Sequence, residues 1–410
     1  MIIPNNILQV YKKENVYESA EIRRAFAYGK GRMFDRWIDY ALANNTTRAA
    51  SNGGATDPTY TEGDLIEQPA YMFESLYRDE FFVERDLSIS TYIGTTSGGG
   101  LYNYTFTVSD LSSSIDDFYS NAIIHNATTG KKYYVTGFTG SSKTIVATTT
   151  IQDTAIAAGD KIFFTNIKGD SKLDIESIDI VGNDTDGLRN GWKFTRSIYQ
   201  EEDPELLLGN LLFEMRCMRV RRYDKIALIA LDEESGAVDT WASPIKQRGK
   251  YAVKCDLSSI NNLINDLTVN YAYDYGKQDF SKKLFVNKNG YSSELTNGAT
   301  YKSTCKSVYD NYHKLINKYE YNCKWISDDA TAELFFNHLF EWKSKQRLIV
   351  NWMGGLKDYI KYDIGDQVKL NLNPIIPTGL NNSSKFMIES NLGAPIPGGS
   401  IINFKLIEMG

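Results

Sequence analysis

The side chains that could carry metal or acid–base chemistry are few and scattered along the chain. None of the histidines has another histidine at the two- or four-residue spacing of a metal site. The cysteines show no CxxC or CxxH spacing, which predicts reduced, packed thiols and neither zinc nor a disulfide framework. These residues are His125, His313 and His338, and Cys217, Cys255, Cys305 and Cys323. No cofactor is predicted.

Paired carboxylates are the one catalytic pattern that a motif search does not exclude, because glycosidase acids need only meet in space. The candidates are Asp116 with Asp117, Asp232 with Glu233 and Glu234, and Asp328 with Asp329. Each stands at a predicted turn or helix start, where an acidic side chain can accept hydrogen bonds from nearby main-chain N–H groups. A structural role is therefore favoured for all of them.

Two further motifs resemble binding loops without completing them. "GNDTDG" (182–187) has the acid spacing of a calcium loop but lacks the distal glutamate of an EF-hand, so a hairpin turn is predicted. "GKGRMF" (29–34) lacks the third glycine and the preceding strand of a dinucleotide fingerprint. The sequence thus predicts no catalytic, cofactor-binding or metal-ligating residue.

Two Gly-Asp dipeptides each precede an alternating strand. One lies in "LKDYIKYDIGDQVKLNLN" (356–373), where alternation predicts a hairpin that turns at Gly365-Asp366. The other lies in "IAAGDKIFF" (156–164). Glycine supplies a φ that other residues adopt only at a cost, and aspartate accepts hydrogen bonds from nearby backbone. Both dipeptides are predicted to turn the chain and to carry no chemistry.

The bulk composition is that of a folded protein of several domains. The 410 residues are 42% hydrophobic and carry a formal net charge of −6, which argues against a nucleic-acid binder because phosphate binding needs a positive surface. The densest basic cluster, "RVRRYDK" (219–225), is predicted to be the solvated face of a strand. No run approaches the ~20 apolar residues that span a bilayer, and no secretion signal is expected.

The elements that would position any site follow from periodicity. Helices are predicted over 20–44, 67–82, 204–218 and 328–342. Five short strands are predicted within 87–170, at 102–108, 121–127, 131–138, 144–149 and 160–166. The strand from Leu267 is expected to place Val269, Tyr271, Tyr273 and Tyr275 on one face. The predicted fold class is α+β, with mostly short antiparallel sheets, small β-barrel modules and a few covering helices. The predicted domains are an N-terminal arm (1–60), a joining helix (61–86), an inserted small β-barrel (87–170) and two α+β domains (171–295 and 296–410).

The order of these segments resembles the tail-tip and baseplate-hub proteins of tailed bacteriophages. "DLIEQPAYMFESLYRDEF" is similar to a helix of that family, and "SDDATAELFFNHLFEWKSKQRLIVNW…LKDYIKYDIGDQVKL" is similar to its helix, strand and Gly-Asp strand. The family's closing strand pair is matched by 386–390 and 402–408. The inserted block, with its terminal Gly-Asp strand, looks like a β-module that recurs in phage virion proteins. The resemblance covers about 60–408.

The resemblance implies a minor tail protein of the virion that acts by assembly and not as an enzyme. Relatives form closed rings that join the tail tube to the distal tip, so a homo-oligomer is expected, with a trimer favoured and a hexamer possible. The implied partners are the tube, tape-measure and distal fibre proteins. A ring-former should leave sheet edges and loops such as 45–63 and 289–300 for its neighbours.

Two other functions stay open from the sequence. In the first, surface aromatic side chains stack on host glycan and the inserted β-domain carries this binding, which would make the chain a carbohydrate-binding host-recognition component of the tail. In the second, a carboxylate pair makes it a tail-associated glycan or peptidoglycan hydrolase.

Overall fold

Short antiparallel sheets and six helices make up the part of the chain that the computed structural model describes, so the predicted α+β class is confirmed. The described residues are 68–77, 84–150, 152–167, 172–183, 191–196, 203–222, 225–232, 238–241, 244, 246–247, 250–251, 253–274, 276–371, 384–396 and 399–409. The predicted arm (1–60), its helix over 20–44 and the loop 45–63 lie outside them. The described residues divide into two compact units, one up to 211 together with 225–228, and one of 212–222 and 229–409.

Two helices and seven strands lie entirely within the first unit. The helices are α1 (Pro69–Leu76) and α2 (Ile175–Gly182). The strands are β1 (Glu84–Ser88), β2 (Thr91–Gly98), β3 (Leu101–Thr107), β4 (Ile123–Asn126), β5 (Lys131–Thr139), β6 (Thr144–Thr149) and β7 (Lys161–Thr165). The five strands predicted within 87–170 are present as β3 to β7, with ends within about two residues, because each is a run rich in β-branched and aromatic residues between turn signals.

Helix α1 begins where its sequence predicts. The side chain of Gln68 accepts hydrogen bonds from the N–H groups of Ala70 (2.6 Å) and Tyr71 (3.2 Å), and Pro69 occupies the first turn, where no N–H is needed. Tyr71 packs so closely on α2 that a Cβ at Gly182 would lie 2.8 Å from its ring. The glycine is therefore what lets the two helices meet.

The seven strands close into a barrel. The sheet order is β1-β7-β4-β5-β6-β3-β2, and only Ile89 and Ser90 separate β1 from β2 along the chain. The N–H of Ile89 donates to Asp160 beside β7 (3.0 Å), and the N–H of Ser90 donates to Thr107 on β3 (2.8 Å). The run from β1 to β2 is thus one bent strand whose first half pairs with β7 and whose second half pairs with β3, at the two ends of the sheet.

Large aromatic side chains fill the barrel. Tyr104, Phe106, Tyr119, Tyr133 and Phe164 are all fully buried in one cluster. Rings this large contribute about 1.5–3 kcal/mol each on burial. Three of the 27 tyrosines of the chain are buried in this cluster and contribute to its packing.

The helix predicted over 204–218 ends early. It is α3 (Pro204–Glu214), followed by β8 (Cys217–Arg222) and β9 (Lys225–Ala230). Glu214 is fully buried and accepts hydrogen bonds from the N–H groups of Lys324 (2.8 Å) and Trp325 (2.9 Å). Arg216 has φ +55°, so the chain leaves the helix at this point. The basic cluster at 219–225 falls largely on β8, as predicted.

The second unit holds two larger sheets and three helices. Its helices are α4 (Gly298–Asn311), α5 (Asp329–Lys343) and the single turn α6 (Leu356–Tyr359), with a 3₁₀ turn at Ile260–Asn262. Its strands are β10 (Thr240–Trp241), β11 (Lys246–Gln247), β12 (Lys250–Tyr251), β13 (Val253–Leu257), β14 (Asp266–Asp274), β15 (Asp279–Asn287), β16 (Lys318–Asn322), β17 (Leu348–Gly355), β18 (Gln367–Leu370), β19 (Lys385–Ile396) and β20 (Gly399–Glu408).

The three-stranded sheet β15-β14-β16 corrects the predicted face of β14. Leu267, Val269 and Tyr271 are buried on one face, as alternation predicts. Ala272 then adopts φ +55° and donates its N–H to Ile326 (3.0 Å). The alternation breaks there, so Tyr273 is only half-buried, and Tyr275 lies outside the described residues.

The predicted hairpin over 356–373 is wrong in its first strand. Residues 356–359 form α6, and β18 pairs with β19 and β10 in the sheet β10-β18-β19-β20-β17-β13. Tyr359 and Tyr362 both contact the ring of Trp241, with centroids 4.8 and 4.9 Å away. Because these tyrosines are three residues apart, a helical turn brings them together and a strand would not.

The two Gly-Asp corners have the same geometry. Gly159 and Gly365 have φ +91° and +90°, and each aspartate accepts from the N–H three residues before it, at 3.1 Å for Asp160 and 2.8 Å for Asp366. Each corner also exchanges two backbone hydrogen bonds with an isoleucine: Gly159 and Asp160 with Ile89, and Gly365 and Asp366 with Ile388. They are turns that dock on a neighbouring strand, which agrees with the prediction.

Candidate functional site

Asp116 and Asp117 each accept a hydrogen bond from a main-chain N–H group of a distant segment. Asp116 Oδ1 accepts the N–H of Gly140 (2.7 Å), and Asp117 Oδ1 accepts the N–H of Phe138 (3.3 Å). Asp117 has φ +55°, a turn conformation that aspartate tolerates. These contacts support a structural role for Asp116 and Asp117.

Each of the other described carboxylate candidates binds a different partner within the chain. Asp328 caps α5 by accepting from the N–H of Thr331 (3.0 Å). Asp329 instead pairs with Lys282 (2.7 Å), which lowers the pKa of its carboxyl. Asp232 lies 3.6 Å from Arg216, and Glu233 and Glu234 lie outside the described residues.

The histidines and cysteines lie apart. His125 contacts Thr165 (2.9 Å) and stacks on a phenylalanine, and His338 Nδ1 lies 3.8 Å from Asp232. The thiols are unbridged; Cys217, Cys305 and Cys323 are buried and Cys255 is half-buried. Among the described residues, no three His, Cys, Asp or Glu side chains cluster as metal ligands would.

The hairpin turn predicted at 182–187 is wrong for Gly182 and Asn183, the two residues of this motif that the structure describes. Gly182 is the last residue of α2, and Asn183 caps that helix by donating its N–H to Asp179 (2.9 Å). A glycine followed by asparagine is as typical of a helix end as of a hairpin, and the apolar periodicity of 175–182 decides between them. Residues 184–187 and the motif 29–34 lie outside the described residues.

Sequence reasoning missed a buried carboxylate in the barrel. Asp153 is 5% exposed and accepts hydrogen bonds from the hydroxyls of Tyr133 and Thr129, the latter at 2.8 Å. Burial acts to raise the pKa of Asp153, but these hydrogen bonds outweigh it and the pKa is lowered. No pattern in "IQDTAIAAGD" distinguishes this aspartate from a loop residue. Its contacts fasten the loop before β7 to the barrel wall.

Loop 289–300 is not left for a neighbour, contrary to the prediction. The N–H of Ser292 donates to Phe285 (2.9 Å) and the N–H of Asn287 donates to Gly290 (2.9 Å), so the loop covers the outer edge of β15. The N–H of Thr296 donates to Glu333 (2.7 Å). The loop satisfies its polar groups within the chain and closes an edge that would otherwise invite pairing.

Strand β13 provides an open edge instead. It ends the order of the six-stranded sheet, and among the described residues only β17 pairs with it. The N–H of Ser258 donates to Arg347 (2.8 Å), so by antiparallel alternation Asp256 also bonds to β17 while the main-chain groups of Cys255 and Leu257 point outward. Leu257 is 61% exposed. This strand edge is a surface onto which another chain can add a strand.

A basic groove lies beside the same edge, within the second unit. Its volume is 480 Å³, and Ser258, the residue after β13, is part of its wall. Five basic side chains and one acidic side chain line it: Lys318, Lys343, Lys345, Arg347 and Lys405, with Glu389. The charge of the groove is opposite in sign to the net charge of the chain. Its single carboxylate pairs with Lys405 (2.8 Å), so the groove lacks the two facing acids of a glycosidase.

Comparison with known proteins gives distant structural similarities only. No protein-family model and no curated protein matches the chain. The 43 kDa tail protein of prophage MuSo2 from Shewanella oneidensis is 12% identical with a TM-score of 0.33, over 79% of this chain and 97% of that one. A tail protein from Neisseria meningitidis is 11% identical with a TM-score of 0.35, over 80% and 92%. A chain of the virion of a native gene transfer agent is 9% identical with a TM-score of 0.34, over 90% and 97%. TM-scores of this size do not establish a common fold, so nothing is inferred from them about this chain.

No helix among the described residues is both long and apolar enough to cross a membrane.

Proposed function

We propose that the chain is a structural protein of the tail of a tailed bacteriophage and that it acts in the virion by assembly, not by catalysis. The observation that carries the proposal is the order of segments that resemble tail-tip and hub proteins, from a Pro-started helix to a closing strand pair. In the structure these segments form α1, α5, the Gly-Asp strand β18 and the pair β19–β20, in that order. The matched segments thus form the elements that the resemblance implies.

The contacts of the acidic candidates also support assembly over hydrolysis. Asp116 and Asp117 are occupied by main-chain N–H groups, and Asp328 is occupied by a helix N-terminus. A general acid or nucleophile has to reach its substrate, and these side chains hold the fold. The five large aromatic side chains named above are fully buried in the barrel core, where they are unavailable to a glycan.

The finer proposal is a ring, at the hub or tail tip, that joins the tail tube to distal components. It includes a homo-oligomer, with a trimer favoured and a hexamer possible, and the domain division 61–86, 87–170, 171–295 and 296–410. The open edge of β13 and its exposed Leu257 are what a neighbouring subunit could cover.

The tail assignment is tested on intact particles of the phage that encodes the chain. An antibody raised against the purified protein is expected to label the tail, at one end, in electron micrographs of virions. Labelling of the capsid, or labelling only of unassembled protein in the lysate, would count against a tail role.

Leu257→Pro is expected to abolish self-association without unfolding the chain. The substitution removes an outward N–H and an exposed apolar side chain, while the bonds of Asp256 and Ser258 to β17 stay in place. The extended backbone of Asp256 is compatible with a following proline. Sedimentation velocity should show a closed oligomer for the wild type and a monomer for Leu257→Pro.

The matched control is Asp256→Pro, which removes a donor that bonds to β17. It is expected to lower the melting temperature, whereas Leu257→Pro leaves it nearly unchanged. A wild type that stays monomeric at all concentrations would contradict the ring. A Leu257→Pro variant that assembles like the wild type would exclude the β13 edge as the interface.

A further inference from the structure

We propose that the basic groove of the second unit binds an acidic segment of a partner polypeptide. The 480 Å³ groove is within the range of about 300–1,000 Å³ that is typical of binding clefts. The inference goes beyond the tail role and does not depend on it, because it follows from the charge and lining of the groove alone.

The charges of the groove are available to a ligand. Lys345 is exposed and has no ion pair within the described part of the chain. Lys318 is 59% exposed, and among the described residues it pairs only with Glu320 of its own strand, at 3.2 Å. Exposed ion pairs of this kind contribute little to the stability of the fold, so a ligand carboxylate can replace Glu320 at a small cost in free energy. Arg347 is buried and binds backbone carbonyls, including those of Met409 and Glu341 (3.0 Å), so it shapes the groove and is not counted as a contact.

The two aromatic rings of the groove are already covered on one face by cations. The guanidinium of Arg347 lies 4.5 Å from the centroid of Trp342, and Lys343 Nζ lies 5.2 Å from that of Tyr319. Nucleic-acid bases bind by stacking on open ring faces, and sugars also need an exposed ring. Both kinds of ligand are therefore disfavoured at this groove.

The remaining lining suits a polypeptide. Ile349 and Ile407 are half-buried and provide aliphatic contacts between the lysines. Asn262 is exposed, and its amide can both donate to and accept from a peptide main chain. A segment in which acidic and apolar side chains alternate would place carboxylates on the lysines and apolar groups on the aliphatic wall.

Fluorescence anisotropy on the full chain tests this with a labelled peptide of alternating glutamate and valine, about six residues long. We expect binding that weakens as salt is added, because the contacts are exposed charges. Lys345→Glu should weaken it about fivefold, the upper range for one exposed charge pair. The double variant Lys343→Glu with Lys345→Glu should weaken it further.

The matched control is Lys357→Glu, an exposed lysine of the same unit that does not line the groove and changes the net charge equally. It should bind the peptide like the wild type, and thermal melts should show all variants folded. Equal weakening by Lys357→Glu, no binding of the glutamate peptide, or tighter binding of an oligothymidylate or of a lysine–valine peptide would each overturn the proposal.

Discussion

Gly140→Ala is expected to disrupt the barrel more than any other small substitution in it. A Cβ at this position would lie 2.0 Å from the carbonyl oxygen of Ser114 and 2.8 Å from the nitrogen of Ile115. Both are backbone atoms, which cannot rotate away as a side chain can. The N–H of Gly140 also donates to Asp116, so relieving the overlap pulls on that bond. We expect a loss of about 3 kcal/mol in the free energy of unfolding, the upper end of the usual range for overpacking.

The control is Gly137→Ala on β5, three residues earlier. Its Cβ would meet only the Cβ of Val146 at 4.0 Å, an ordinary contact. Unfolding of both variants in denaturant, followed by near-UV circular dichroism of the buried tyrosines, measures the difference. If Gly140→Ala and Gly137→Ala unfold at the same denaturant concentration, the close approach of 114–115 to 140 does not exist in solution.

Gly365→Ala is expected to destabilise the second unit strongly, and Gly159→Ala separates its two causes. Both glycines have φ near +90°, so alanine at either position strains the backbone by roughly 1–2 kcal/mol. At Gly159 nothing lies within 4 Å of the added Cβ, whereas at Gly365 a methyl carbon of Ile229 lies 2.7 Å from it. Gly365→Ala should therefore cost about 1–3 kcal/mol more than Gly159→Ala.

Hydrogen exchange gives a local readout for both corners. The N–H of Ile89 donates to Asp160 and the N–H of Ile388 donates to Asp366, so each isoleucine amide reports on one corner. We expect faster exchange of Ile89 in Gly159→Ala and a larger acceleration of Ile388 in Gly365→Ala. The double variant Gly365→Ala with Ile229→Ala should recover part of the loss. Equal acceleration at the two corners would show that backbone strain alone matters.

The sequence by itself determined the elements whose signals are local. The five strands predicted within 87–170 and the helix predicted over 328–342 were placed within about two residues, because alternation, Gly-Asp turns and an Asp cap act over a few neighbouring residues. The role of Asp328 at a helix start and the role of both Gly-Asp corners as turns were also predictable, because these roles depend on neighbouring residues alone.

Only the tertiary structure decided where distant segments override the local pattern. Helix α3 ends at Glu214 because the carboxylate of this residue binds N–H groups more than a hundred residues away. Residues 356–362 form a helical turn because Tyr359 and Tyr362 both pack on Trp241. The closure of the barrel at 89–90 and the basic groove likewise bring together residues far apart in the chain. Pairings of this kind depend on which surfaces remain to be buried once each element has formed, and no window of neighbouring residues contains that information.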